Sequence, residues 1–200
     1  MKLIYAAASP FARKVLVVAH EVGLGDAVTV ETAVAHPVDR NPGIRAKNPL
    51  GQIPTLTLDD GTSLYDSRVI CEYLDEKAGG SLFPSGEARW RALVEQALAD
   101  GLMAAALLAR YEATVRPEAL RWEGWTGGQM GKITDALDTF ETSLPVAGER
   151  VDIGTISIAC ALGYLDFRFA DFDWRAGRPA TAGWYERFSA RPSMIATKPA

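Results

Sequence analysis

Ser9 is the residue of this sequence best placed for chemistry. It stands in "AAASPFARKV", residues 6–15, directly after the apolar start "MKLIY". Pro10 suits the first position of a helix, where its missing N–H is harmless, so the Ser9 hydroxyl should lie at a helix N-terminus. There it can accept a hydrogen bond from the N–H of Ala12 as a helix cap. It can equally donate its own proton to an anion drawn by the helix dipole, and these residues alone leave both interpretations open.

A second helix start of this kind lies at Asp66–Ser67, in "LYDSRVICEYL". Asp66 is a typical N-cap residue, and Ser67 with its backbone N–H suits a carboxylate at a helix N-terminus. The third feature is "GQIP", residues 51–54. On its residues alone it predicts an ordinary trans proline at the start of a strand.

The composition argues against several classes of function. The chain has 200 residues, a net charge of -4 and scattered basic residues, so nucleic acid and anionic membranes are poor partners. No apolar run reaches the ~18 residues of a membrane span. Cys71 and Cys160 lack CxxC spacing, and His20 and His36 stand alone. The sequence therefore predicts no metal site, and two buried thiols in a reducing cytoplasm.

Residues 1–79 alternate between strand and helix patterns. They predict a strand, a helix, a strand, an irregular loop, a hairpin and a helix. The first two strands flank a helix and should be parallel, whereas "PTLTLDDGTSLY" should form an antiparallel hairpin that turns at Asp60–Gly61. The prediction is a mixed four-stranded sheet with helices on its faces. Residues 80–86 form a linker, after which residues 87–200 predict an all-helical domain.

The helical part carries three clear patterns. "RWRALVEQALADGLMAAALLARYEATV" predicts a long helix, and the helix that starts near "EALRWEGW" should bend at Gly127–Gly128. "DIGTISIACALGYLDFRF" is apolar on nearly all sides and predicts the buried central helix. At its start, Asp152 can cap the N–H of Thr155. This is a device for folding rather than for chemistry.

Four stretches in this order resemble the cytosolic glutathione transferases: "SPFARKV", "NPLGQIPTL", "LYDSRVICEYL" and "DIGTISIACALGYLDF". The resemblance spans the chain and is closest to bacterial, serine-type members. It implies an α/β thioredoxin-like N-terminal domain followed by an all-α helical C-terminal domain, with glutathione as co-substrate. It also implies a homodimer built across the long helix, where the small residues of "ADGLMAAALLA" permit close approach.

The resemblance also assigns roles to individual residues. Ser9 becomes the catalytic residue, a donor that stabilises the glutathione thiolate, and Tyr5 is the rival donor. The implied glutathione-binding residues are Gln52, Ile53, Pro54, Asp66, Ser67 and Asp100.

Each part of glutathione then has its own partner. Pro54 would follow a cis peptide bond, and the backbone of Ile53 would pair with the cysteinyl part as an added strand would. Asp66 and Ser67 would hold the γ-glutamyl end, although many relatives carry a longer Glu or Gln at the first of these positions. Asp100 would reach the glutamyl amine across the dimer interface; the residues alone are equally consistent with a solvated side chain.

Four residues are candidates for the pocket of the second substrate: Phe11, Met103, Leu107 and Tyr111. The spacing of the last three is also typical of a plain helix core. An apolar pocket implies an apolar electrophile, so the resemblance implies a transferase that adds the thiolate to hydrophobic electrophiles in cytoplasmic detoxification.

Two alternatives stay open. One is an enzyme that uses glutathione as a cofactor rather than building it into the product, as in cis–trans isomerisation or reductive dehalogenation. The other is a binding or regulatory protein that keeps the fold without transferase activity. A thiol–disulfide oxidoreductase is disfavoured, because the Ser9 hydroxyl cannot form a mixed disulfide.

Overall fold

The computed structural model describes residues 1–199. The strands are β1 (Lys2–Tyr5), β2 (Thr29–Thr32), β3 (Thr55–Thr57) and β4 (Ser63–Leu64). The α-helices are α1 (Pro10–Glu21), α2 (Pro42–Arg45), α3 (Ser67–Lys77), α4 (Gly86–Thr114), α5 (Glu123–Ala147), α6 (Ile153–Arg168), α7 (Pro179–Ser189) and α8 (Pro192–Ala196). Single 3-10 turns occupy Gly25–Ala27 and Glu118–Leu120.

The chain divides into two compact units. The first comprises Met1–Gly86 together with the C-terminal segment that begins at Arg191, and the second is Glu87–Ala190. The sequence prediction ends the first domain at residue 79, treats residues 80–86 as a linker and gives residues 87–200 to the helical domain. The main difference is the segment from Arg191, which packs with the first unit.

The first unit contains the predicted mixed sheet, in the order β2-β1-β3-β4. β1 is parallel to β2, and β3 is antiparallel to β4, as predicted. β1 is also antiparallel to β3, a pairing that the sequence did not predict. Ile4 lies opposite Thr55, and Leu56 lies opposite Leu64. Ile4 and Leu56 are buried, whereas all four residues of the edge strand β2 are exposed.

The helices of this unit bury one face each. Val15 and Val18 of α1 are fully buried, and Gly23, with a φ of 73°, follows the end of that helix. In α3, Ile70 is fully buried, whereas Val69 is exposed. Neighbouring helix positions are about 100° apart, so only one of these two side chains faces inward.

In the second unit, α6 is the predicted central helix, and every residue from Ile153 to Leu165 is buried. Its capping box is complete: Thr155 N–H donates to Asp152 Oδ1 at 3.0 Å, and Asp152 N–H donates to Thr155 Oγ1 at 3.0 Å. This confirms the cap predicted from the sequence. A capping box more often has Ser or Thr at the N-cap and an acid three residues later. Here Asp152 is the N-cap and Thr155 follows three residues later, so the two residue types are exchanged and both hydrogen bonds still form.

The helix predicted from "EALRWEGW" differs in its start, whereas the bend expected at Gly127–Gly128 stays a prediction. Glu118–Leu120 forms a separate 3-10 turn, and α5 begins at Glu123 and runs through Gly127–Gly128 to Ala147. Beyond the glycines, Gln129 and Ile133 are buried. Tertiary packing supplies most helix stability in proteins, which explains why two weak helix formers do not interrupt this helix.

Among residues 1–199, α4 alone has the length and apolar composition of a membrane-crossing helix. About 44% of that stretch is buried within the protein. Core helices of water-soluble proteins meet the same criterion, and the expectation that no segment spans a membrane stays a prediction.

The C-terminal segment is tied to α1 by an ion pair at Glu21. Arg191 donates from Nε and Nη2 to the two Glu21 carboxylate oxygens at 2.9 and 2.7 Å, and the Ser193 hydroxyl also donates to this carboxylate. Nearby, Arg13 Nη2 donates to the buried carbonyl of Met194 at 3.2 Å. The hydrogen bond from Arg191 lowers the pKa of Glu21, and the hydrogen bond from Ser193 lowers it further. Burial of the carboxyl acts in the opposite direction but does not outweigh them.

We expect Glu21→Gln to lower the free energy of unfolding by about 1–3 kcal/mol at neutral pH, the range for a charged hydrogen bond. Because the folded-state pKa of Glu21 is lowered, its stabilisation is present above the unfolded pKa of about 4.3 and is lost as pH falls through the folded value. Urea unfolding of both proteins at several pH values should therefore show a difference that shrinks in acid.

Glu31→Gln is the matched control in the same unit. Glu31 is exposed and meets Lys2 and Lys47 only at 3.9 and 3.6 Å, so its loss should cost less than about 1 kcal/mol. An equal cost for both variants would show that the Glu21 contacts contribute no more than a surface pair.

Candidate functional site

The Ser9 hydroxyl lies at the N-terminus of α1, as predicted. Its Oγ accepts a hydrogen bond from the N–H of Ala12 at 3.2 Å, and its backbone N–H donates to the Ala6 carbonyl at 2.9 Å. Ser9 is half-buried, and its hydroxyl proton meets no acceptor within residues 1–199. The capping role is confirmed, and it leaves this proton available to a ligand beside the positive end of the helix dipole.

Tyr5, the rival donor, is the last residue of β1 and is half-buried. Burial raises the pKa of its phenol, and the nearby charge of Arg13 offsets this only in part. Tyr5 therefore keeps its proton at neutral pH. It precedes the turn that opens α1, so it does not share the helix terminus with Ser9.

The loop before β3 presents an unpaired stretch of backbone at Ile53. The peptide bond between Ile53 and Pro54 is cis, as the resemblance implies. Within the described chain, neither the N–H nor the carbonyl of Ile53 makes a hydrogen bond. Both groups are free to pair with an extended peptide, in the manner of an added strand. The Gln52 side chain beside them is exposed.

Asn48 holds this loop in place, a role that the sequence reasoning missed. Its side chain is almost fully buried, and Nδ2 donates to the Gln52 carbonyl and to Thr55 Oγ1, both at 3.1 Å. Its Oδ1 accepts from the Leu50 N–H at 3.0 Å. Asparagine readily forms such side-chain turns, so an Asn before Pro in "NPLGQIP" was the available signal.

Asp66 and Ser67 begin α3. Asp66 caps the helix, since its Oδ1 accepts from the Arg68 N–H at 2.9 Å, and its Oδ2 pairs with Arg68 Nη2 at 3.2 Å. Burial opposes ionisation of this carboxyl, but the hydrogen bonds from Arg68 and the charges of Arg68 and Lys14 outweigh it and lower the pKa of Asp66. Ser67 is buried, and its N–H and hydroxyl have no acceptor within residues 1–199.

The strand pairing brings these three segments to one end of the sheet. β1 is antiparallel to β3, and β3 is antiparallel to β4. The end of β1, the start of β3 and the end of β4 therefore lie side by side. Ser9 follows β1, Ile53 precedes β3 and Ser67 follows β4. Each offers an unused hydrogen-bonding group at that end, which together suit a peptide-like ligand with an anionic terminus.

The other predicted residues lie elsewhere. Phe11 is half-buried in the first turn of α1. Three lie at four-residue intervals along one face of α4 in the second unit: Met103, which is fully buried, and Leu107 and Tyr111, which are half-buried. Asp100 is also on α4 and is nearly buried. A joint pocket of Phe11 with the α4 residues stays a prediction.

Metal and thiol chemistry have little support among the described residues. No group of three or more His, Cys, Asp or Glu side chains in residues 1–199 is arranged to hold a metal ion. Cys71 and Cys160 are buried and form no disulfide, in line with the prediction of two buried thiols.

Comparison with known proteins assigns this chain to a family. Residues 8–77 match the N-terminal domain of glutathione S-transferases, and residues 88–187 match their C-terminal domain. The chain therefore belongs to the glutathione S-transferase family, as the four sequence stretches indicate. Its first unit has the thioredoxin-like fold, and its second unit is the helical domain of that family.

Individual relatives match this chain along nearly their whole length. The uncharacterized GST-like protein YibF of Escherichia coli is 33% identical over 204 residues, which cover 100% of this chain and 98% of that protein. A glutathione transferase family member from Pseudomonas fluorescens Pf-5, crystallised with bound glutathione, is 46% identical, with a TM-score of 0.97 over 100% of this chain and 98% of that one.

Two further structures hold related ligands. The Pseudomonas fluorescens Pf-5 family member with bound S-(propanoic acid)-glutathione is 46% identical, with a TM-score of 0.92 over 100% of both chains. A glutathione S-transferase from Methylobacillus flagellatus KT with bound glutathione is 35% identical, with a TM-score of 0.88 over 100% of this chain and 99% of that one.

The cap at Asp66 gives a prediction that needs no ligand. Asp66→Ala removes the acceptor for the Arg68 N–H and should lower the free energy of unfolding by about 1 kcal/mol. Asp66→Asn keeps a good capping side chain and should cost only a few tenths of that. Urea unfolding of the three proteins measures both differences. If Asn costs as much as Ala, the carboxylate charge stabilises the helix and the cap hydrogen bond does not.

Proposed function

We propose that this protein is a glutathione transferase that binds glutathione at the end of the sheet and stabilises its thiolate for attack on an electrophile. The observation that carries the proposal is the Ser9 hydroxyl: it is held by the Ala12 N–H and keeps an unused proton at the mouth of α1. The relatives crystallised with glutathione support this choice of ligand.

The energy that this role requires is modest. A free cysteine thiol titrates near about 8.5, so little thiolate exists at neutral pH. Lowering that pKa by about 2 units needs about 2.7 kcal/mol of preference for the charged form. One charge-assisted hydrogen bond from Ser9 and the positive end of α1 can supply that amount. Ser9 acts as a donor and keeps its own proton.

The remaining groups at this end of the sheet match the rest of glutathione. The free N–H and carbonyl of Ile53 suit its cysteinyl peptide groups, with Pro54 shaping the loop and Gln52 beside it. The N–H and hydroxyl of Ser67 suit the γ-glutamyl carboxylate at the start of α3.

Two carboxylates suit the ammonium of the γ-glutamyl end. Asp66, held ionised by Arg68, can oppose it from the same subunit. Asp100 can do so from the partner subunit if the dimer proposed below forms.

The structure of the relative with bound S-(propanoic acid)-glutathione bears on the type of reaction. This ligand is a thioether, which is the product formed when a thiolate attacks carbon. Its presence in a relative that is 46% identical favours transfer to carbon over pure binding. Phe11, Met103, Leu107 and Tyr111 would supply the apolar part of the second substrate's pocket. We place this activity in detoxification in the cytoplasm, where the buried thiols of Cys71 and Cys160 would stay reduced.

We also propose a homodimer. The exposed face of α4 carries residues at alternating intervals of four and three, the spacing of a helix-packing seam: Trp90, Val94, Ala97, Gly101, Ala104 and Leu108. Trp90 and Val94 are each 67% exposed in the single chain. Small residues in the middle of this face permit close approach of a second α4.

The test of the catalytic proposal is Ser9→Ala against Tyr5→Phe. Ser9→Ala should keep glutathione affinity within a few-fold, raise the pKa of the bound thiol and lower turnover by roughly 100-fold, the loss of about 2.7 kcal/mol. Tyr5→Phe should change little. Thiolate absorbance and pH–rate profiles with a panel of halide, epoxide, isothiocyanate, enone and peroxide substrates measure this.

Four outcomes would contradict the assignment. A pH profile that shifts with Tyr5→Phe and not with Ser9→Ala makes Tyr5 the donor. Glutathione binding without a thiolate indicates a binding protein. Recovery of unchanged glutathione after turnover indicates an isomerase, and recovery of glutathione disulfide with a dehalogenated product indicates a reductive dehalogenase.

The test of the dimer is Val94→Glu. We expect a dimer at micromolar concentration, and a charge in its apolar interface should weaken self-association by about 100-fold or more. Val146→Glu is the control, because Val146 is 81% exposed on α5, outside that face. Sedimentation of the three proteins measures the association. A wild-type monomer at micromolar concentration would refute the dimer and with it the role of Asp100 in a partner's site.

A further inference from the structure

Arg13 of α1 carries a buried positive charge that no carboxylate balances. The residue is only 5% exposed. Within residues 1–199 its side chain makes no ion pair: Nη2 donates to the Met194 carbonyl at 3.2 Å, and Nε is buried without a hydrogen-bond partner. Burying a charge without an opposite charge is costly for folding, so a compensating anion is expected nearby.

The place of Arg13 in the helix adds to this cost. Its N–H donates to the Ser9 carbonyl at 3.0 Å, in the first turn of α1. The first turns of a helix are the positive end of its dipole, where acidic side chains are favourable and cations are not. Places where a sequence breaks such rules are typically functional or strained sites.

The acid nearest to Arg13 along α1 is already engaged. Glu21 lies two turns further on and accepts from Arg191 at 2.9 and 2.7 Å and from the Ser193 hydroxyl. The C-terminal segment that packs on this side of α1 contributes a further cation, the exposed Lys198, and no acid within the described residues.

The other elements that pack against α1 offer no free buried carboxylate either. On α3, Asp66 pairs with Arg68, and the buried Asp75 accepts from the backbone N–H groups of Ser81 and Leu82 at 2.8 Å. The remaining acids of α3 and of the 3-10 turn after α1 are exposed: Asp26, Glu72 and Glu76.

Arg13 lies at the same end of α1 as the Ser9 hydroxyl. Side chains four positions apart on a helix share one face, with about 5–6 Å between their Cβ atoms. Tyr5, on the other side of the turn that opens α1, is also within range of this charge: burial raises the pKa of its phenol, and Arg13 partly offsets the rise. The charge therefore acts on the mouth of α1.

We propose that the Arg13 guanidinium stabilises the glutathione thiolate through space, as a second positive charge beside the Ser9 hydroxyl and the end of the α1 dipole. This rests on the proposed transferase function and adds a residue to which the sequence reasoning gave no role. Buried surroundings weaken a charge interaction much less than water does, so direct contact is not required. The Met194 carbonyl fixes the guanidinium without neutralising it.

The first test is the pair Arg13→Met and Arg13→Lys. Met is a neutral side chain, so the pKa of the bound glutathione thiol should rise by about 1 unit, and kcat below that pKa should fall by about 10-fold. The loss should disappear in alkali, where the bound thiol is ionised in both proteins. Lys keeps the charge and should restore most of the wild-type value. Thiolate absorbance and pH–rate profiles measure this.

A matched ligand separates the thiolate from the carboxylates of glutathione. S-methylglutathione keeps both carboxylates but has no thiol proton to lose. Calorimetry should show that Arg13→Met binds glutathione about five-fold more weakly at about pH 7.5 and equally well at about pH 5.5, while S-methylglutathione binds equally well at both. An equal loss for both ligands would assign Arg13 to a carboxylate and overturn the proposal.

Arg191→Met is the matched control. It removes a guanidinium from the same contact between α1 and the C-terminal segment, but one whose charge Glu21 balances. It should lower the thermal stability and leave the pKa of the bound thiol unchanged. If it raises that pKa as much as Arg13→Met does, the packing of the C-terminal segment is responsible and the charge of Arg13 is not.

Thermal unfolding distinguishes a charge that serves the ligand from one that serves the fold. Replacing buried charges by apolar side chains of similar volume is often neutral or stabilising, so Arg13→Met should unfold within about 4 °C of the wild type. An unchanged thiol pKa in Arg13→Met refutes the role of Arg13, whatever the stability, and leaves the transferase function to the test at Ser9. If the wild-type protein binds no glutathione, both proposals fail together.

Discussion

The candidate site depends on the register of three short strands. β3 pairs antiparallel with both β1 and β4, so one end of the sheet collects the residues that follow β1, precede β3 and follow β4. A shift of one strand by a single residue would turn its side chains to the opposite face. Because Leu3, Ile4, Thr55 and Leu56 are all buried, a shifted strand would have to repack on both faces of the sheet. The hydrophobic core of the first unit thereby sets the positions of Ser9, Ile53 and Ser67, which contribute little to that core themselves.

The helical unit depends in a similar way on one close approach. Gly154 has no side chain where the Ala92 carbonyl passes, and the ion pair of Arg150 with Glu95 holds the two helices at that point.

The parts that could be predicted from the sequence are those that depend on neighbouring residues. The cap of Ser9 on Ala12 and the box of Asp152 with Thr155 each join positions three apart, so residue type and spacing sufficed to predict them. The parallel direction of β1 and β2 and the antiparallel direction of β3 and β4 followed from alternation patterns and turn residues, whereas the pairing of β1 with β3 did not. The resemblance to a known family supplied the cis peptide bond before Pro54, which the local residues alone did not favour.

The parts that escaped prediction depend on chain reversal or on long separations. Asn48 reaches Gln52 and Thr55 only because the loop between them folds back. The ion pair of Glu21 with Arg191 joins residues 170 positions apart. No local pattern marks either partner of such a pair, because the contact depends on how the chain between the two residues folds.

That last ion pair also has a consequence for the order in which the protein can fold on the ribosome. Synthesis proceeds from the N-terminus, so the sheet and α1 emerge early, while the segment from Arg191 follows only after the whole of Glu87–Ala190. Until then the Glu21 carboxylate faces water, and the surface of α1 that receives α8 is uncovered. The first unit to be made is thus the last to be completed, and the helical unit is translated as an insertion between its two parts.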